Sequence, residues 1–176
     1  MPLPLEVRML GLVPEYLLER FRRGQSQGVE NGCAICVDLS GFTPLVERLS
    51  GLGRRGAEIL SEGISSLYSR IEQAVREGGG FVSTFAGDSF SVVVPGGDSR
   101  RAGEMARILL ELFGSADEIT PGFGLRARVG VASGPIGWRV LGRAARRSYC
   151  FLGQPVRQAS LAACSGAPGT VEDRGA

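Results

Sequence analysis

Two aspartates stand where carboxylates could do chemistry. Asp38 closes the apolar run Cys33-Ala34-Ile35-Cys36-Val37, and Asp88 lies in Ala86-Gly87-Asp88-Ser89 between two apolar segments, Phe81 to Phe85 and Phe90 to Val94. A continuous apolar run of this length reads as a buried strand. A short Gly-Asp-Ser step between two such runs reads as a tight hairpin turn. With the first strand beside that hairpin, the two carboxylates converge at one sheet edge. Such a pair suits a magnesium or manganese ion that also takes phosphate oxygens, because hard cations prefer oxygen and keep positions open for substrate. Ser40-Gly41-Phe42-Thr43-Pro44 follows the first aspartate. Thr43 as N-cap and Pro44 at the first helical position predict a helix start. The N–H groups over Ser40 to Thr43 then form a seat for a polyphosphate. Either acid alone is also what an ordinary cap or turn carries; their joint placement favours the metal site.

Composition narrows the remaining chemistry. All 20 basic residues are arginine and there is no histidine, which removes histidine metal sites, Ser-His triads and lysine Schiff bases. Catalysis is left to carboxylates, metal ions and arginine. The net charge is only +2, with arginines scattered among acids, so no basic stripe offers itself to nucleic acid. No apolar stretch reaches transmembrane length and no signal peptide is visible, so the expectation is a soluble cytoplasmic protein without a membrane partner. Cys33 and Cys36 form a C-x-x-C, but residues three apart on a strand face opposite ways. They read as buried free thiols in a reducing compartment.

The elements that must position these residues are legible from periodicity. The 176 residues, 43% of them hydrophobic, suit one compact domain. Val13 to Arg23 predicts a short amphipathic helix, followed by a polar loop from Gly24 to Gly32. Cys33 to Leu39 is the first strand. Arg54 to Glu77 repeats apolar residues at three- and four-residue intervals, a long helix stopped by Gly78-Gly79-Gly80. After the hairpin, Ser99 to Phe113 is a second long helix. Leu125 to Ala132 and Ile136 to Leu141 read as two strands, Tyr149 to Leu152 as another, and Pro155 to Cys164 as a final helix. The order predicts an α/β (α+β) fold, a ferredoxin-like βαββαβ sheet with helices on one face. Residues 1–30 form an N-terminal helical extension, 31–171 the main domain and 172–176 a polar tail. Gly169-Thr170-Val171 starts a final strand, an end that suggests a chain cut from a longer protein.

Val37-Asp38-Leu39-Ser40-Gly41-Phe42-Thr43, then Gly79-Gly80, then Phe85-Ala86-Gly87-Asp88, then Arg128-Val129-Gly130-Val131-Ala132-Ser133-Gly134 resemble the successive motifs of class III adenylyl and guanylyl cyclase catalytic domains. With Arg55-Gly56-Ala57-Glu58 added, the sequence is most similar to the first catalytic half of the bicarbonate-type soluble adenylyl cyclases. The resemblance implies a lyase that forms a 3′,5′-cyclic nucleotide, cAMP from ATP or cGMP from GTP, with release of pyrophosphate. It implies that Asp38 and Asp88 hold two Mg²⁺ or Mn²⁺ ions with help from the Leu39 carbonyl. It implies phosphate contacts from Leu39, Ser40, Gly41, Phe42, Thr43 and Gly87, and a triphosphate contact from Arg128.

The same resemblance marks what is missing. Self-sufficient family members carry a base-selecting lysine, a base-selecting aspartate, and an asparagine and arginine on the last helix. Aligned on Gly153 and Ala159, those positions hold Thr84, Cys150, Arg157 and Leu161. The bicarbonate-binding lysine of the soluble cyclases is replaced by the same Thr84. Since family sites form between two domains, the expectation is a metal-bearing half that needs a second cyclase domain, in the same chain or another. A homodimer of this chain is the symmetric arrangement. A noncatalytic nucleotide-binding or dimerisation module is the first alternative. A diguanylate-cyclase-like domain is the second, because Ala86-Gly87-Asp88-Ser89-Phe90 is similar to that family's Gly-Gly-Asp/Glu-Glu-Phe turn, though it lacks the second acid.

Overall fold

β1 (Gln27–Ser40) runs through the middle of the sheet and fixes everything around it. The computed structural model describes residues 13–114, 124–143 and 146–173, so the start of the N-terminal extension and the last three residues of the polar tail lie outside the described residues. After β1 come α2 (Phe42–Ser50), α3 (Arg54–Glu77), β2 (Phe81–Ala86), β3 (Ser89–Pro95) and α4 (Ser99–Gly114). Then follow β4 (Arg126–Arg143), β5 (Arg146–Leu152), α5 (Gln154–Ser165) and β6 (Val171–Asp173), with α1 (Glu15–Arg22) preceding β1. The sheet order is β2-β3-β1-β4-β5, with antiparallel neighbours, and β6 adds to β4 in parallel. The placement of β1 between β3 and β4 is that of the expected βαββαβ core.

Period-two alternation divides β1 between two cores. Cys33, Ile35, Val37 and Leu39 join Ile71 and Val75 of α3 and Met105 and Leu109 of α4. Ala34 and Cys36 face the other way, with Ala132, Ala159 and Ala163. The two cysteines thus lie on opposite faces, both buried and free. Each fully buried Ile, Val or Leu in the first core contributes about 1.5–3 kcal/mol relative to exposure.

Several expectations are corrected. α3 and α4 share one face, but α5 packs on the opposite one. Residues of small volume permit this. A Cβ at Gly130 would lie 2.0 Å from the Ala159 carbonyl oxygen and 2.5 Å from the Ala163 nitrogen, so glycine lets the helix backbone rest on the strand. The expected loop from Gly24 to Gly32 is instead largely strand, because Gln27 to Asn31 pair with β4 from Arg139 to Pro135. The two strands read as Leu125–Ala132 and Ile136–Leu141 are one, β4, whose interior contains Ser133, Gly134 and Pro135.

α1 docks on the α5 side. Leu17 is buried, and the Tyr16 ring stacks on Phe81 with centroids 5.2 Å apart and meets Trp138 edge-on at 6.5 Å. Arg20 lies over the Tyr16 ring at 3.6 Å and donates to both Glu30 carboxylate oxygens. Among the described residues, no helix is long and apolar enough to cross a membrane.

Candidate functional site

Asp38 is flanked on both sides at the C-terminal end of β1. Its register partners are Ser89 on β3 and Arg128 on β4. Residues directly opposite in antiparallel strands carry their side chains on one face within contact range. The Arg128 Nη2 group accordingly donates to Asp38 Oδ2, in a pair whose side chains are 28% and 18% exposed. Arg128 Nε is buried and has no hydrogen-bond partner among the described residues.

Asp88 comes to the same end through the backbone. The hairpin tip delivers its carbonyl to the Leu39 amide, which donates to it at 3.1 Å. Ser89 Oγ donates to the Ala86 carbonyl at 2.9 Å and closes the turn around Gly87. The Asp88 side chain is exposed, while its near neighbour Tyr68 on α3 is half-buried. Burial first, and the Asp88 charge second, push the Tyr68 phenol above its ordinary value. The Tyr68 ring meets Phe85 edge-on at 5.1 Å, which ties the hairpin to α3.

The helix start differs from the expected one. Gly41, not Thr43, is the N-cap of α2; it has φ of 91° and no side-chain cap, and Phe42 is the first helical residue. Only a residue tolerant of positive φ fits there, and the strand must turn sharply because its next neighbour is the Gly124 carbonyl, 3.0 Å from where a Cβ would sit. Pro44 is inside the helix and has no N–H, and the Leu45 amide donates to the Gly41 carbonyl. The first-turn amides of Phe42 and Thr43 therefore have no intrahelical acceptor. Ser40 Oγ donates to the Arg126 carbonyl at 3.3 Å, so its hydroxyl braces β1 against β4. Gly124 and Ser89 were not singled out by the sequence; neither spacing nor residue type marks a contact between Gly41 and a carbonyl so distant in the chain.

Asp38, Leu39, Ser40, Gly41, Phe42, Thr43, Gly87, Asp88 and Arg128 therefore gather around one end of the sheet. The donor set suits a hard divalent cation: it is oxygen-only, two carboxylates with a strand-end carbonyl between them in sequence, and Asp38 already seats a cationic group. Among the described residues no three His, Cys, Asp or Glu side chains cluster. Thr84 is exposed on β2, Cys150 is half-buried on β5 opposite Arg139, and Arg157 and Leu161 are exposed one turn apart on α5.

Residues 25–172 match the family described as Adenylate and Guanylate cyclase catalytic domain. The chain belongs to this family. The cyclase domain is 31% identical to rat (Rattus norvegicus) adenylate cyclase type 10 over 139 residues, covering 75% of this chain and 9% of that protein. It thus spans about a tenth of the length of such relatives. The fold is similar to the crystal structure of the adenylyl cyclase CyaB from P. aeruginosa, with a TM-score of 0.71 and 21% identity over 84% of this chain and 78% of that one. A class III adenylyl cyclase-like ATP-binding protein from Pseudomonas aeruginosa shares the fold at a TM-score of 0.68 and 21% identity, over 80% of this cyclase domain and 32% of that chain.

Proposed function

We propose that this domain is the metal-bearing half of a nucleotidyl cyclase that converts ATP to cAMP and pyrophosphate. The observation that carries the reading is the bond from the Leu39 amide to the Asp88 carbonyl, which sets the hairpin tip next to the end of β1 that bears Asp38 and leads into the uncapped start of α2. Identity to adenylate cyclase type 10 supports ATP over GTP. Asp38, Asp88 and the Leu39 carbonyl would hold two magnesium or manganese ions. Bound there, such ions supply Lewis acidity for the ribose 3′-hydroxyl and charge neutralisation for the departing pyrophosphate. The Phe42 and Thr43 amides donate to phosphate oxygens at the positive end of the α2 dipole. Ser40, Gly41 and Gly87 shape the walls that bring the polyphosphate close. Arg128 donates to the triphosphate, and its charge favours the pyrophosphate as leaving group when the 3′-oxygen bonds to the α-phosphorus.

The base-selecting and ribose-contacting groups come from a second cyclase domain. Thr84 and Leu161 have no charge to offer, and Arg157 is exposed on α5. The test is cyclic nucleotide formation by the purified chain, alone and mixed with a cyclase domain that carries the lysine, asparagine and arginine set. Product only in the mixture supports the reading; ATP binding with no product in any mixture supports the noncatalytic alternative. That alternative is favoured by one observation, the fold shared with a cyclase-like ATP-binding protein.

A further inference from the structure

We propose that Arg128 is a displaceable internal counter-cation: it occupies the Asp38 carboxylate in the free domain and leaves it for phosphate oxygens, coupling metal binding to nucleotide binding. This rests on the reading of Asp38 as a metal ligand. It adds the state of that ligand before metal arrives.

Three observations carry it. Arg128 and Asp38 are direct partners across β4 and β1, with Nη2 on Oδ2. The pair is mostly shielded from water, at 28% and 18% exposure, so its charges are weakly screened. Arg128 Nε is buried with no acceptor among the described residues. A guanidinium has five N–H donors in a planar fork, and one carboxylate oxygen leaves a buried donor unsatisfied. A polyphosphate offers several oxygens to the same fork. The resting pair is therefore an incomplete partnership, which a triphosphate can complete.

A divalent cation arriving alone competes with the guanidinium for the same carboxylate and is repelled by it at short range. With a triphosphate present, Arg128 has another anion to engage and Asp38 is released. Each ligand removes the obstacle to the other. By linkage, the factor by which nucleotide strengthens metal binding equals the factor by which metal strengthens nucleotide binding, typically about 5- to 150-fold. The exposed Asp88 is not part of this pair and stays open to the cation throughout.

The experiment is titration of the purified domain with Mn²⁺ alone, with free Mn²⁺ followed by electron paramagnetic resonance, which needs no turnover. Arg128→Gln is expected to bind Mn²⁺ at least about fivefold more tightly than the unaltered chain. Arg128→Lys, which keeps the positive charge, should stay near the unaltered value; Arg128→Met repeats the neutral case should the Gln variant fold poorly. Equal or weaker Mn²⁺ binding by the neutral variants, or equally tightened binding by the Lys variant, overturns the inference. If Mn²⁺ binding is unaffected by Arg128 but lost in Asp38→Asn, the inference falls and the metal site stands. If no variant and no unaltered chain binds Mn²⁺, both fall.

Discussion

The Leu39 amide donates to the Asp88 carbonyl at 3.1 Å, so the hairpin tip is tied to the end of β1 independently of either carboxylate. The two acids therefore differ in what their loss does to the fold. Asp38→Ala leaves the Arg128 guanidinium partly buried without its partner and should cost about 1–3 kcal/mol of stability. Asp88→Ala, at an exposed turn, should change stability by no more than about 0.5 kcal/mol. Both should abolish Mn²⁺-dependent binding of a nonhydrolysable ATP analogue. Urea denaturation and calorimetric titration of the two variants separate these effects; retained analogue binding in both would remove the site from Asp38 and Asp88.

Gly130 tests the seat of α5. A methyl group there would sit 2.0 Å from the Ala159 carbonyl oxygen, and backbone cannot yield as a flexible side chain does. Gly130→Ala should lose about 1–3 kcal/mol through overpacking, read as a lower urea midpoint at unchanged slope. A neutral or stabilising outcome would mean that α5 lies farther from β4.

Much of this architecture is legible in the sequence, and the parts that are not have local causes. α3 matches its expected span because Gly53 and Gly78 bound a strongly periodic run. The start of β1 is hidden because Gln27 to Asn31 pair only with β4; β3 pairing ends at Gly32, and the residues before it, apart from the exposed Val29, carry no large apolar side chain and alternate between exposed and half-buried. β4 reads as two strands because Gly134 and Pro135 are turn formers in isolation, and here the pairing with Asn31 and Gly32 overrides them. The face chosen by α5 depends on contacts between Gly130 and the Ala159–Ala163 segment, which no single-segment pattern reveals. At the site, residue types and spacing single out both aspartates as candidates, but the cap assignment fails because Thr43-Pro44 imitates a start two residues later than Gly41 provides.

Alkaline pH should weaken the fold through Cys33. Its thiol donates to the Gly97 carbonyl at 3.2 Å, and burial pushes it up to about 11 from 9.0. Below pH 9 the folded and unfolded chains both hold this proton. Between about pH 9 and 11 only the unfolded chain releases it, so stability falls with rising pH, by on the order of 2 kcal/mol across the window. Denaturation midpoints from pH 8 to 11 should show a decline that is shallower in Cys33→Ala. An identical slope in the two proteins would contradict the assignment.

Thr84 stands where the resemblance to soluble cyclases places a bicarbonate-binding lysine. With an exposed, neutral hydroxyl at that position, bicarbonate should leave cyclic nucleotide formation by the complemented domain unchanged at constant pH. A saturable activation removed by Thr84→Ala would overturn this.

In the proposed reaction this chain supplies the metal residues of a shared site and its partner supplies the rest. The direct measurement mixes the purified chain with a complementary cyclase domain whose own two metal-binding aspartates have been replaced by alanine, and follows cAMP formation from ATP with Mn²⁺. Product is expected from the mixture, with a loss of at least about a hundredfold when Asp38 or Asp88 of this chain becomes alanine, and negligible product from either component alone. Robust turnover by this chain alone, or turnover in the mixture that survives loss of both aspartates, would contradict it.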